Sequence, residues 1–161
     1  MTKTRKRVGF SLVELVIVIV IIGIIAAIAV PRISRGAKGA SDSALRANVT
    51  VLRNAIDLYA AEHVGDFATV ADFVVQLTTY TNVAGDAVAT KDSTHIFGPY
   101  LKGVPTLPVA GAGTTGGAVG DDGVAAADAA GVGWLYDEDT GDIVANTGTA
   151  TDEAGTAYNT F

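Results

Sequence analysis

One carboxylate, Glu14, stands inside an apolar run, and no Lys, Arg or His accompanies it between Phe10 and Val30. An ionised acid near the centre of a membrane span costs about 2.5 to 3.5 kcal/mol on insertion scales, and less near the interface, so such a residue marks a partner. The one cation within reach of that depth is a new amino terminus at Phe10, created if the chain is cut after Gly9. That amine would belong to this chain or to a neighbour. The chemistry indicated is charge pairing in an assembly.

Other residues offer different chemistries, which their spacing tells apart. The segment "DEDTGD" departs from a calcium-binding EF-hand loop. Gly141 takes the fifth position where Asp or Asn belongs, Asp142 takes the sixth where Gly belongs, and Gly148 stands twelfth in place of Glu. Asp137, Asp139 and Asp142 therefore read as a solvated hairpin turn, with calcium as the lesser alternative. Asp121, Asp122 and Asp128 read as a flexible acidic loop with the same option. His63 and His95 are too far apart in sequence for a local zinc pair. "GAGTTGG" (Gly111 to Gly117) lacks the Lys-Ser/Thr ending of a phosphate-binding loop, and Ser11 has no evident base beside it. With no cysteine in the chain, disulfides and thiolate metal sites are excluded. The expectation is a protein that is not an enzyme and needs no cofactor, calcium aside.

These residues must be positioned by a chain of 161 residues, enough for one domain with an appended segment. Residues 1–53 hold nine of the eleven Lys and Arg against two acids. The remainder holds two basic residues against fifteen acids, so the parts carry 9 − 2 = +7 and 2 − 15 = −13. A head so acidic would repel phosphates, which argues against nucleic acid as its partner. Met1 to Gly9 is basic, and the apolar run from Phe10 to Val30 would make roughly 31 Å of helix, about one bilayer core. Lipid demands internally satisfied backbone, so helix is preferred over strand despite the many Val and Ile. Pro31 cannot donate to the carbonyl of Ala27 and predicts a kink, with Gly23 a second weak point.

Beyond it, Leu45, Val49, Leu52, Ile56, Tyr59 and His63 recur at alternating four- and three-residue spacings, which predicts an amphipathic continuation ending near Gly65. His63 on that stripe reads as structural. Thr69 to Tyr80 predicts a short second helix with Thr69 as N-cap. "GPYLKGVPTLP" (Gly98 to Pro108) carries three prolines and reads as turns, and Val109 to Gly133 reads as glycine-rich loop. Trp134 to Tyr136 and Ile143 to Ala145 flank a turn and predict a hairpin. The expected fold class is α+β: a long N-terminal helix packed on a small antiparallel sheet. The expected divisions are a leader (1–9), a membrane helix (10–30), its amphipathic continuation (31–65) and a globular head (66–161).

The stretch "GFSLVELVIVIVIIGIIAAIAVPRI" resembles the processing and transmembrane segment of type IV pilins and of the pseudopilins of type II secretion systems. The resemblance covers about 25 residues and rests on the basic leader, Gly9-Phe10, the lone Glu14 and the uniform span up to Pro31. It implies that a prepilin peptidase cuts after Gly9 and that Phe10 becomes the N-methylated terminus. It further implies that Glu14 accepts a neighbour's terminal charge as subunits pack into a homo-oligomeric filament. An inner-membrane assembly platform with its ATPase and minor pseudopilins would be the partners. The precursor would cross the inner membrane once, N-terminus cytoplasmic and head outside.

The later "GPYLKGVPTLP", glycine-rich loops and "GWLYDEDTGDI" are similar to the C-terminal parts of major pseudopilins, some of which hold calcium in a late loop. The preferred expectation is a major pseudopilin-like subunit. A type IV pilus subunit for adhesion, motility or DNA uptake shares the same motif. A third reading, an exported binding module, follows from the small-x-small site Ala27-Ile28-Ala29, cut after Ala29.

Overall fold

A single helix, α1 (Leu12–Glu62), spans 51 residues. The computed structural model describes residues 10–112, 116–152 and 154–161, so Gly9 and the basic leader lie outside the described residues. By its contacts the chain forms two compact units, Met1–Lys38 and Gly39–Phe161.

In the first unit, the large apolar side chains from Phe10 to Ile33 are exposed. The helix is long and apolar enough to cross a membrane, and none of its apolar window is buried. Its assignment continues through Gly23 and Pro31.

The second unit contains the C-terminal part of α1, and here the alternating spacing of the stripe becomes a core. Leu45, Val49, Leu52, Ile56, Tyr59 and His63 are all buried. All but His63 pack with Phe73, Leu77, Leu107, Trp134, Tyr136 and Ile143 in one apolar cluster. Each such side chain contributes about 1.5 to 3 kcal/mol on burial. The polar flank of the helix also finds partners: the Arg46 guanidinium meets the Asp152 carboxylate at 2.7 Å. Arg53 donates to the carbonyl of Ile143 at 3.2 Å and to that of Phe161. Tyr158, from the short 3-10 helix Tyr158–Thr160, donates to the buried Asp42 carboxylate. Burial, then that carboxylate, pushes the Tyr158 phenol up to about 12.

α1 stops three residues before the expected Gly65. His63 Nδ1 bonds the carbonyl of Tyr59 at 2.7 Å, and Gly65 N–H returns to the carbonyl of Ala60 at 2.8 Å. The reversal places Val64 at φ 63° and Gly65 at φ 97°. A second helix, α2 (Phe73–Thr78), is shorter than the predicted Thr69–Tyr80 and begins after Asp72, not Thr69. Residues 70–72 form a turn ahead of it, and side chains hold the amides of this region. Thr69 N–H is taken by Gln76 Oε1 at 2.9 Å, Val70 N–H by Glu138 Oε2 at 2.6 Å, and Asp72 N–H by Thr69 Oγ1 at 3.2 Å.

Two small sheets complete the head. β1 (Tyr80–Thr81) and β2 (Ala87–Val88) pair antiparallel. β3 (Gly123–Ala125), β4 (Val132–Tyr136) and β5 (Ile143–Ala145) form the second sheet in that order. The predicted hairpin is β4–β5, with Trp134 opposite Ala145 and Tyr136 opposite Ile143. The α+β class therefore stands, and the sheet adds a parallel β3–β4 pair to that antiparallel hairpin.

β3 arises within the stretch expected to be loop, because small residues let backbone lie directly against backbone. A Cβ on Gly133 would sit 2.3 Å from the carbonyl oxygen of Asp121, and one on Gly117 would sit 2.5 Å from that of Val132. Asn146 fastens the same region by donating to Asp128 Oδ1 at 2.7 Å and to the carbonyl of Val132 at 2.8 Å. Trp134 Nε1–H closes the core by donating to the carbonyl of Pro105 at 2.8 Å.

Candidate functional site

The N-terminal turn of α1 is built by a reciprocal feature of the sequence "SLVE". Ser11 precedes the first helical residue and its carbonyl accepts Leu15 N–H at 3.2 Å. Glu14 reaches back, and its Oε2 accepts the Ser11 backbone N–H at 2.8 Å. This is the Glu half of a capping box, in which an acid three residues past the N-cap satisfies an otherwise orphaned amide. The Ser-x-x-Glu spacing could have disclosed it, but reasoning that treated Glu14 as an unpartnered charge in lipid missed it. The acid also lies in the first turn, where the helix dipole favours negative charge. One carboxylate oxygen is thus engaged one residue away from Phe10, which is itself 86 % exposed. Gly23 and Pro31 sit farther along the same helix, and a Cβ on Gly23 would meet nothing within 4 Å.

The hairpin turn is closed by one aspartate carboxylate and by backbone bonds. Asp137 Oδ1 accepts Asp139 N–H at 2.9 Å, Asp137 N–H donates to the carbonyl of Asp142 at 3.0 Å, and Gly141 N–H donates to that of Asp137 at 2.9 Å. Asp121 accepts Ala118 N–H at 2.7 Å, and Asp128 accepts Gly116 N–H at 3.0 Å. Among the described residues, no group of three or more His, Asp or Glu is arranged to hold a metal ion.

The two histidines are kept apart. His63 is buried, stacked on Tyr59 with ring centroids 3.8 Å apart, and its Nε2 meets Thr81 Oγ1 at 3.0 Å. His95 instead pairs with Asp92 at 2.9 Å in a loop. Backbone amides of His95 and Thr94 hold the Asp92 carboxyl well below the usual carboxylate range.

The sequence matches the family model of the prokaryotic N-terminal methylation motif over residues 4–30. No curated protein and no solved structure matches the chain. The matched segment contains Gly9, Phe10, Glu14 and Gly23 and stops one residue before Pro31. It supports a type IV pilin-like precursor, and with it processing by a prepilin peptidase and assembly into a filament in general terms. The motif and the exposed apolar helix together fit a protein anchored in the inner membrane.

Proposed function

We propose that the chain is the major structural subunit of a type II secretion pseudopilus, assembled from inner-membrane precursors to drive protein export. The observation that carries this reading is the methylation motif lying on a helix whose apolar surface is wholly unpartnered within its own chain. Cutting after Gly9 frees the Phe10 amine, which methylation leaves basic. A free α-amino group has a reference pKa of about 7.7 to 8.0 and is largely cationic at neutral pH. One Glu14 oxygen holds the Ser11 amide, and the carboxylate's other oxygen remains for that amine on a neighbouring subunit.

At about 4 Å and an effective dielectric near 20, their attraction is on the order of 4 kcal/mol before desolvation is subtracted. A subunit out of register would leave both charges unpaired in apolar surroundings, so the pair sets the axial step. Gly23 and Pro31 provide the places where the packed helix bends. The subunit works without catalysis or a cofactor, the head stays outside the cytoplasm, and the platform ATPase supplies energy.

Intact mass of the mature protein tests the processing: a chain beginning at Phe10 with one added methyl group is expected. A start at Val30 would instead identify an exported module, and an uncut chain would refute the precursor reading. Glu14→Leu should insert and be cut normally yet yield no filament. Glu14→Gln should fall between, since an amide still accepts a hydrogen bond but balances no charge. A retraction ATPase beside the gene, in place of a secretin and secretion ATPase, would move the assignment to a type IV pilus.

A further inference from the structure

The head unit contains a cleft whose chemistry the filament helix does not use. It has a volume of about 340 Å³ and is lined by Tyr59, Asp66, Phe67, Gln76, Gly85 and Glu138 among others. It shares Thr69, Gln76, Ala84 and Gly85 with an adjoining cleft of about 500 Å³, where Asp72 and Asp86 stand. Four carboxylates thus border the two, and no Lys or Arg lines either. A carboxylate cluster alone specifies nothing, but the floor adds a second feature.

Tyr59 is only 2 % exposed, yet its hydroxyl has no hydrogen-bond partner among the described residues. No side-chain oxygen or nitrogen sealed from solvent lacks a partner among them, so this hydroxyl reaches solvent through the cleft. Gly85 keeps that opening: a Cβ there would lie 2.8 Å from the Tyr59 hydroxyl oxygen. The neighbouring polar wall is already engaged. Gln76 holds Thr69 N–H and donates to the carbonyl of Gly85 at 3.1 Å, and Glu138 holds Val70 N–H. The Asp66 carboxylate has no hydrogen-bond partner among the described residues. Burial first, then Asp66 and Asp72, raises the Tyr59 phenol above its ordinary range, so it stays protonated. A neutral hydroxyl can accept from an N–H while giving its own proton to a carboxylate.

The missing complement is a cationic donor on a slender stem. Within the head, Arg46 is spent on Asp152, Arg53 on two carbonyls, and Lys91 lies over the Tyr80 ring. Lys102 has no hydrogen-bond or ion-pair partner among the described residues. Arg32, Arg35 and Lys38 are all exposed and recur every three residues on α1, with no acid between Glu14 and Asp42. That spacing puts them on one helix face. We propose that the cleft floored by Tyr59 and bordered by Asp66 receives a guanidinium or ammonium side chain from the Arg32–Lys38 stretch of a second copy of this chain. This rests on the filament reading and adds to it a head contact that fixes which neighbour a subunit grips.

The chain has no cysteine, so the test is a disulfide scan of the full-length protein in cells that process it. Asp66→Cys is combined in turn with Arg32→Cys, Arg35→Cys and Lys38→Cys, and harvested filaments are oxidised and resolved without reductant. At least one pairing should give a covalent ladder that neither single variant gives. In parallel, Asp66→Arg should lower filament yield at least about tenfold, and adding Arg32→Asp, Arg35→Asp or Lys38→Asp in turn should restore it in at least one case. The single variant's thermal unfolding should match wild type, because Asp66 is exposed. Filaments that form normally but give no ladder from any pairing overturn the proposal. So does a charge swap that restores nothing, the outcome expected if the basic stretch serves lipid phosphates. An absence of wild-type filaments would overturn the filament reading itself.

Discussion

The two units use α1 in opposite ways. From Leu15 to Val30 the helix is apolar on every side, and its large side chains are exposed. After Gly39 its buried apolar residues form one stripe, and that stripe is the centre of the head core. One helix therefore carries two kinds of hydrophobic information. An all-round apolar surface is completed by surroundings outside the chain, whether lipid or other subunits, whereas a stripe is completed within it. The basic residues follow the same division. Arg32, Arg35 and Lys38 are exposed on the first unit, while Arg46 and Arg53 are committed to Asp152 and to backbone carbonyls of the head.

The sharpest break of this comparison is a pair of truncations on the same helix. Leu52 is fully buried, and Leu52→Ala should cost about 2 to 5 kcal/mol of head stability through lost burial and a residual cavity. Ile21 is 51 % exposed, and Ile21→Ala should leave the unfolding midpoint of the detergent-solubilised subunit unchanged. Chemical denaturation followed by Trp134 fluorescence reads both. A large loss at Ile21 in the dispersed subunit would mean that the first unit has an intramolecular partner.

Gly133→Ala comes next in size. The added methyl group would meet the Asp121 carbonyl at 2.3 Å, and overpacking of this kind costs about 1 to 3 kcal/mol. Gly120→Ala is not a fair control because Gly120 has φ 100°, so Gly103→Ala, with nothing within 4 Å and ordinary backbone, is the comparison. Equal effects from Gly133→Ala and Gly103→Ala would show that the glycine-rich segment does not press on β4.

That segment marks where the sequence was hardest to read. The stripe from Leu45 to His63 was legible because its period is a direct consequence of helix geometry, and the β4–β5 hairpin was legible because aromatic and β-branched residues flank Asp and Gly. β3 was not legible. Of its three residues only Val124 favours a strand, and what holds Gly123 and Ala125 is close backbone approach to a strand supplied later in the chain. The turn ahead of α2 likewise depends on a partner that local propensity does not contain: Glu138, 68 residues away, holds Val70 N–H. The cleft over Tyr59 was equally hidden, since Tyr59 reads as one more member of the apolar stripe and only the turn at Gly85 leaves its hydroxyl open. In contrast, the Ser11–Glu14 cap was present in the sequence as a four-residue pattern and needed no tertiary information.

Alkaline pH should separate the units without any mutation. Tyr100, Tyr136 and Tyr158 all lie in the head, and burial foremost raises each phenol, Tyr158 to about 12. The unfolded chain loses these protons near pH 10 while the folded head retains them, so stability falls as pH rises from about 10 through the folded values. Asp152 acts at the other end. Its carboxyl is held below its ordinary range, first by Thr156 N–H and also by Ala154 N–H and Arg46, so its contribution is present above about pH 4 and lost as pH falls through the folded value. Head unfolding followed across pH should therefore decline at both extremes. Helicity of the apolar segment in detergent should be unchanged from pH 8 to 11, as no residue between Leu15 and Val30 titrates.

The smallest effect is expected where the helix of the head gives way to the turn. Val64 is β-branched, has φ 63° and is 85 % exposed, so it occupies a left-handed conformation without burying its side chain in return. That conformation costs an L residue about 1 to 2 kcal/mol, and more for a branched one. Asn tolerates it far better, so Val64→Asn should raise head stability by about 1 kcal/mol with no packing lost. Val64→Gly relieves the same strain but gives the unfolded chain more freedom, and should gain less. The order wild type, Val64→Gly, Val64→Asn in increasing denaturation midpoint is the signature. If both variants were less stable than wild type, the exposed valine would have to be held by contact with something outside the head, and Val64 would then belong with Ile21 among residues completed by a neighbour.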